Sequence, residues 1–183
     1  MMKWLIHRRL AAFEKDFGYN ADFMHHVLDT DFRAFMRFGR VGSALRYRKD
    51  VPDELYYAVA LTGTIGGDCG PCAQLGVTMA LREGVPGATL ASIVRGNEAE
   101  MTDVVRLGVR YARAVLARQP IADEYRADIV RRWGERAVVT LALALVGSQI
   151  FPTFKYALGY GHACQRLVVE GASIVPQHAA AAS

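Results

Sequence analysis

Apolar residues recur at helical spacing along most of this chain, and that period points to an all-α fold. Met101, Val104, Val105, Gly108, Ala112 and Val115 follow an i, i+3, i+4, i+7 pattern along one face, with Arg106, Arg110 and Arg113 off the stripe. Asn97 is a suitable N-cap, with Glu98 and Glu100 in the first turn, so the spacing predicts a helix over 98–117. Another helix is expected from Asp53 to Gly66, following Pro52. The next is expected to open at Asp68 as N-cap and to run through Leu75 and Met79 to Gly84. Further helices fit 88–94, 122–133, 135–150 and 162–170. Residues 1–50 read as two or three helices carrying an aromatic stripe that suits a core or a subunit interface. No alternating Val/Ile/Thr run argues for a strand. With no linker to divide it, the chain is expected to form a single domain over 1–175, followed by a tail from Pro176 to Ser183 that frays.

Composition narrows the function classes. The chain has 183 residues, 52% of them hydrophobic, which suffices for a sizeable core. Its 22 basic and 18 acidic residues are well mixed and contain no dense Lys/Arg block, so no nucleic-acid partner is expected. The longest apolar run, Ala137 to Phe151, is interrupted by Thr140, Ser148 and Gln149. It falls short of the ~20 residues of a membrane span, so a buried core helix and no membrane partner are expected. The stretch from Met1 to Arg9 has no long apolar core before its charges, so no signal peptide is expected there. Cys69, Cys72 and Cys164 are too few, and unevenly spaced, for a disulfide scaffold. A reducing cytoplasm with one reactive pair is the simpler expectation.

The chemistry concentrates in Asp68-Cys69-Gly70-Pro71-Cys72. Two thiols three residues apart at a helix start share one side of that helix, and the helix N-terminus favours a thiolate. Four readings fit. The pair can be a thiol–disulfide or peroxide-reducing centre, with Cys69 as the more exposed, activated sulfur. It can be part of a zinc site completed by His162 and Cys164, although that spacing is not a standard one. It can belong to a thioredoxin fold, which would need a preceding strand that is not evident here. It can also be two small residues packed at a tight helix start. The redox reading requires no cofactor and no metal.

The order of elements around the thiols resembles the carboxymuconolactone decarboxylase and alkylhydroperoxidase D superfamily. The likeness rests on Pro52, Glu54 and Leu55 opening one helix, the Cys-x-x-Cys opening the next, and Arg82-Glu83-Gly84-Val85 before a short helix. A Leu/Ala-rich helix ending near Ala157-Leu158-Gly159 completes it, over roughly residues 50–160. The resemblance implies an alkylhydroperoxidase D-like helical bundle that assembles as a homo-oligomer. It also implies peroxide reduction by the two cysteines, with a Glu on the preceding helix and a His one turn after the second Cys relaying the proton. The cysteines map to Cys69 and Cys72, and the resemblance implies attack by Cys72, nearest the relay, where the helix N-terminus points instead to Cys69. The His position falls on Gly76, and the Glu is either Glu54 or, by strict spacing, replaced by Tyr57. Asp68, Gln74 and His162 are the remaining candidates for the missing base.

The resulting expectation is an oligomeric thiol redox protein. Cys69 and Cys72 would be catalytic, with Glu54 assisting, and the partner would be a small-molecule hydroperoxide or a protein or lipoyl disulfide. The rival readings are a non-redox helical scaffold or small-molecule binding module, and a lactone decarboxylase-like enzyme.

Overall fold

The computed structural model describes residues 2–162 and 166–177. Among them are nine α-helices: α1 (Met2–Phe17), α2 (Asp22–Thr30), α3 (Phe32–Ala44), α4 (Asp53–Gly66), α5 (Gly70–Arg82), α6 (Gly87–Arg95), α7 (Asp103–Leu116), α8 (Ala122–Trp133) and α9 (Glu135–Ala157). A hairpin of β1 (Leu167–Val169) and β2 (Ala172–Ile174) follows. The protein is therefore all-α in class, with a small β appendage.

Helix α4 is the centre of the packing. It lies against α5, α7 and α9, and its buried side chains divide the core. Tyr57, Ala58, Leu61 and Ile65 join α5, α6 and the hairpin on one side. Leu55 and Val59 meet Leu107, Ile129 and Leu141 on the other. Small residues let the neighbouring backbones come close. A Cβ on Gly108 of α7 would lie 2.9 Å from Ala58 Cβ and 3.3 Å from the Leu55 carbonyl oxygen. A Cβ on Gly63 would overlap the Ser148 hydroxyl of α9 and lie 2.8 Å from Ser148 Cβ. Gln149 Nε2 donates to the Gly63 carbonyl at 2.7 Å across the same contact.

Several sequence expectations need correction. The helix foreseen over 98–117 is broken in two. Asn97 caps only a single 3-10 turn, Glu98–Glu100, and Thr102 caps α7 by accepting from Val105 N–H. The break lets Glu98 fold back onto α7, where it pairs with Arg110 and Arg113 at 2.8 and 3.1 Å.

Asp68 is not an N-cap. It sits at φ +49 in the turn after α4, and Cys69 holds the N-cap position of α5 in extended backbone. Asp is one of the few non-glycine residues that tolerate this left-handed conformation, so the chain can reverse direction in two residues.

Described residues within 162–170 form no helix, and β1 and β2 supply a hairpin there instead. Leu167, Val169 and Ile174 face the core while Val168 faces out. Glu170 and Gly171 both take positive φ at the turn, as a two-residue hairpin loop requires. The tail is anchored at its start. Pro176 is buried and Gln177 N–H donates to the Val94 carbonyl at 2.9 Å. Cys164 and residues 178–183 lie outside the described residues.

Helix α9 runs seven residues beyond the end at 150 expected from spacing, through Pro152, and stops at Ala157, where the resemblance places it. Its 23 residues are long and apolar enough to cross a membrane by length and composition. Yet Ala137, Leu141, Ala144, Leu145, Ser148, Pro152 and Lys155 are buried in the fold, at helical spacing. The N-terminal helices gather a separate aromatic cluster. Phe13, Phe17, Tyr19, Phe23 and Phe38 pack with Phe151 and Phe154 of α9, and the Phe38 and Phe154 rings stack at 4.0 Å.

Gly108→Ala is expected to destabilise the protein by about 1–3 kcal/mol, because the added methyl meets backbone as well as side chain. Gly39→Ala in α3, where a Cβ meets nothing within 4 Å, should be neutral or stabilise by up to ~1 kcal/mol through helix propensity. Urea denaturation of the two variants checks both.

Candidate functional site

The thiol pair sits where α5 begins, and tertiary contacts hold that turn of helix. Gly70 N–H donates to the His162 carbonyl at 3.1 Å, and Tyr156 Oη donates to the Asp68 carbonyl at 2.9 Å. One turn on, the Gln74 amide clasps β1. Its Nε2 donates to the Val168 carbonyl at 3.0 Å, and its Oε1 accepts from Val168 N–H at 2.7 Å. Gln74 is thus a structural clip rather than a base. His162 contributes its backbone, with its side chain exposed.

Both described thiols are free. Cys69 is the buried one, at 0% exposure, and Cys72 is the accessible one, which reverses the expected order. Cys72 lines a cavity of about 590 Å³ that reaches from the thiols to Tyr56, Tyr57 and Arg46. Phe13, Phe23, Phe38, Leu75, Met79 and Phe151 give it an apolar wall.

The two thiols do not ionise alike. A hydrogen bond from the Cys72 thiol lowers the Cys69 thiol to about 7, and the Cys72 backbone N–H and the Lys155 charge act the same way. Burial and the Asp68 carboxylate oppose that shift. The Cys72 thiol is pushed up by its hydrogen bond to the Cys69 sulfur and by burial. Above about pH 7 the pair therefore favours one proton shared between two sulfurs, with the negative charge on the inner one.

Two residues beside the thiols were not singled out in the sequence. Tyr19, in the α1–α2 connection, places its hydroxyl 4.0 Å from Cys72 Sγ. Lys155 of α9, 3% exposed, donates from Nζ to the Tyr19 hydroxyl at 3.3 Å. Lys155 is foreshadowed by the buried α9 stripe, seven residues after Ser148, but the expected helix stopped short of it. Tyr19 was read only as a member of the aromatic stripe.

Glu54 lies at the opposite end of α4 from the thiol turn, about 16 Å along the axis from Ile65, and does not line the cavity. Tyr57 does line it. Burial, with Glu83 beside it, pushes the Tyr57 phenol above its usual range. Arg48 lies over the Tyr56 and Tyr57 rings and is clamped by Asp53 and Glu83. Gly76 faces α4 so closely that a Cβ there would lie 2.8 Å from Leu61 Cδ2. Among the described residues no His/Cys/Asp/Glu cluster could hold a metal.

In comparisons with known proteins, no family model, curated protein or solved structure matches the chain.

The shared proton gives a signed pH dependence. The Cys69 thiol is lower when folded than unfolded, so its ionisation stabilises the reduced protein above the ordinary thiol range, and that contribution is lost as pH falls through about 7. Cys72, shifted the other way, contributes below the ordinary range and loses that contribution above it. The Tm difference between the reduced parent and Cys69→Ser should therefore grow from about pH 6 to about pH 8.5 and shrink beyond it. Differential scanning calorimetry across that range, under reducing conditions, checks the sign.

Proposed function

We propose that this protein is a thiol redox protein in which Cys69 and Cys72 reduce an apolar organic hydroperoxide and are regenerated by an external dithiol. The observation that carries the reading is the placement of Cys72 on the wall of an apolar cavity, with a second, readily ionised sulfur hydrogen-bonded behind it. The likeness to the alkylhydroperoxidase D group, whose helical bundle we propose here, supports the same reading.

The shared proton moves to Cys69 as the Cys72 sulfur attacks the outer peroxide oxygen. The O–O bond breaks, Cys72 becomes a sulfenic acid, and the departing alkoxide takes a proton to leave as the alcohol. The Cys69 thiol then displaces water from the sulfenic acid and closes the disulfide. The dithiol gives up two electrons in total and the hydroperoxide accepts them. A protein or lipoyl dithiol would reverse the disulfide by exchange, which suits a reducing compartment such as the cytoplasm. A homo-oligomer is part of the proposal: α1 buries none of its residues and exposes Met2, Trp4 and Leu5.

The cavity also favours a second reading, a binding module for an apolar small molecule in which the thiols take no part.

Reduced protein mixed with one equivalent of cumene hydroperoxide, quenched by alkylation and mapped by mass spectrometry, separates the two. The expected product is a single Cys69–Cys72 disulfide, formed about tenfold faster than with hydrogen peroxide because the cavity retains an apolar substrate. Cys72→Ser should abolish the reaction, and Cys69→Ser should stop at a trappable sulfenic acid. Thiols that remain fully alkylatable after prolonged exposure would leave the binding-module reading.

A further inference from the structure

Lys155 is the one buried charged side chain among the described residues, and its countercharge is not a carboxylate. No described Asp or Glu lies within ion-pair distance of its Nζ. The ammonium donates to the Tyr19 hydroxyl and stands 4.9 Å from the Tyr19 ring centroid and 5.1 Å from that of Phe23. Ring faces attract a cation, but they do not replace an anion for a charge taken out of water. The Lys155 charge acts on both thiols, favouring their ionised forms. Tyr19 spans the gap: its oxygen accepts from Lys155, which leaves its own proton free to point at Cys72 Sγ.

We infer that the thiolate shared by Cys69 and Cys72 is the counter-ion of Lys155, and that Lys155 supplies, through Tyr19, the proton that releases the alcohol product. This rests on the redox reading above. It also assigns a group to the task left open by Gly76, where the resemblance would place a His. Tyr19 is the catalytic residue, because it lines the cavity and reaches the reacting sulfur. Lys155 is a positioning residue that acts through it.

The proton balance follows. Before reaction the site holds one ammonium and one thiolate. The Cys72 sulfur takes the outer oxygen, and the alkoxide receives the Tyr19 proton as Tyr19 takes one from Lys155. Disulfide closure releases water. The site then holds a neutral amine and a neutral disulfide, so it is uncharged at both ends of the turnover. Burial and the nearby thiols push the Tyr19 phenol far above its usual range, so it passes a proton on without remaining ionised. The other ionisable groups facing the pair fit this account. Asp68 opposes the thiolate, and His162 is exposed while its carbonyl accepts from Gly70 N–H.

The test separates this inference from the redox reading. Thiolate formation is followed by absorbance at 240 nm as a function of pH, which needs no peroxide. Lys155→Met and, as a second neutral variant, Lys155→Gln should leave about tenfold less thiolate at pH 7 than the parent, and Lys155→Arg should restore most of it. Single-turnover oxidation is then compared for an alkyl hydroperoxide, whose alkoxide needs a proton, and for peracetic acid, whose carboxylate leaves without one. Tyr19→Phe should slow the first by about 100-fold and the second by less than about threefold.

An unchanged thiolate titration in folded Lys155→Met and Lys155→Gln would overturn the counter-ion. Equal losses with both oxidants in Tyr19→Phe would overturn the proton path. A parent protein inert to both oxidants would instead remove the redox reading, while the thiolate titration still reported on Lys155.

Discussion

The closeness with which α4 meets its neighbours is the constraint on which the rest of the structure depends. Gly63 of α4 against α9, and Gly108 of α7 against α4, bring three backbones nearer than side chains with a Cβ would allow. That contact fixes the line of α9, which sets Ser148, Pro152 and Lys155 along one buried stripe. It also fixes α4 relative to α5, and so places Cys72 on the cavity wall opposite Tyr57. The same tightness bears on chemistry. Leu61 fills the space beside Gly76, so no side chain can enter there unless Leu61 moves. A proton donor for the thiols is better accommodated from another direction, and α9 and the α1–α2 connection provide one.

Electrostatics in the site follow from the sulfur pair more than from the helix N-terminus alone. Cys69 occupies the N-cap position, yet its first neighbour in energy is the other sulfur. A thiol donating to a thiolate in a dry site is a charge-assisted bond, stronger than its neutral counterpart. The buried ammonium of Lys155 then stands within reach of an anion that no carboxylate supplies. Wall and charge are thus separate parts of the site: aromatic side chains line the cavity, and three polar groups, Cys72, Tyr19 and Lys155, stand in a row beside it.

Much of this was legible in the sequence, and the exceptions have physical causes. The bounds of α4 and α8 match their expected positions, because Pro52 and Gly66 bracket α4 and Gly134 ends α8. The hairpin was missed because strands of three residues are too short to show alternation, and Glu170-Gly171 is not among the strongest turn pairs. The single helix expected over 98–117 failed at Thr102, a second cap inside what read as one pattern. Within the site, the cysteines were legible by spacing. Their relative exposure was not, since it depends on which face of α5 meets α4. Lys155 and Tyr19 lie 136 residues apart, and nothing local marks them as partners. The continuation of α9 through Pro152 was legible only in the resemblance, and the proline packs there against Gly67.

The clasp between Gln74 and Val168 joins residues 94 positions apart, and the Gly70 to His162 bond is of similar reach. Contacts of such long range form late, because the chain between them must first be ordered. During synthesis the thiols would emerge well before the segments that hold their helix in place. Until residues 155–168 arrive, Cys69 lacks both its buried surroundings and its nearby cation, and the pair is two ordinary cysteines. In the proposed function, reactivity would therefore be acquired only in the last stage of folding.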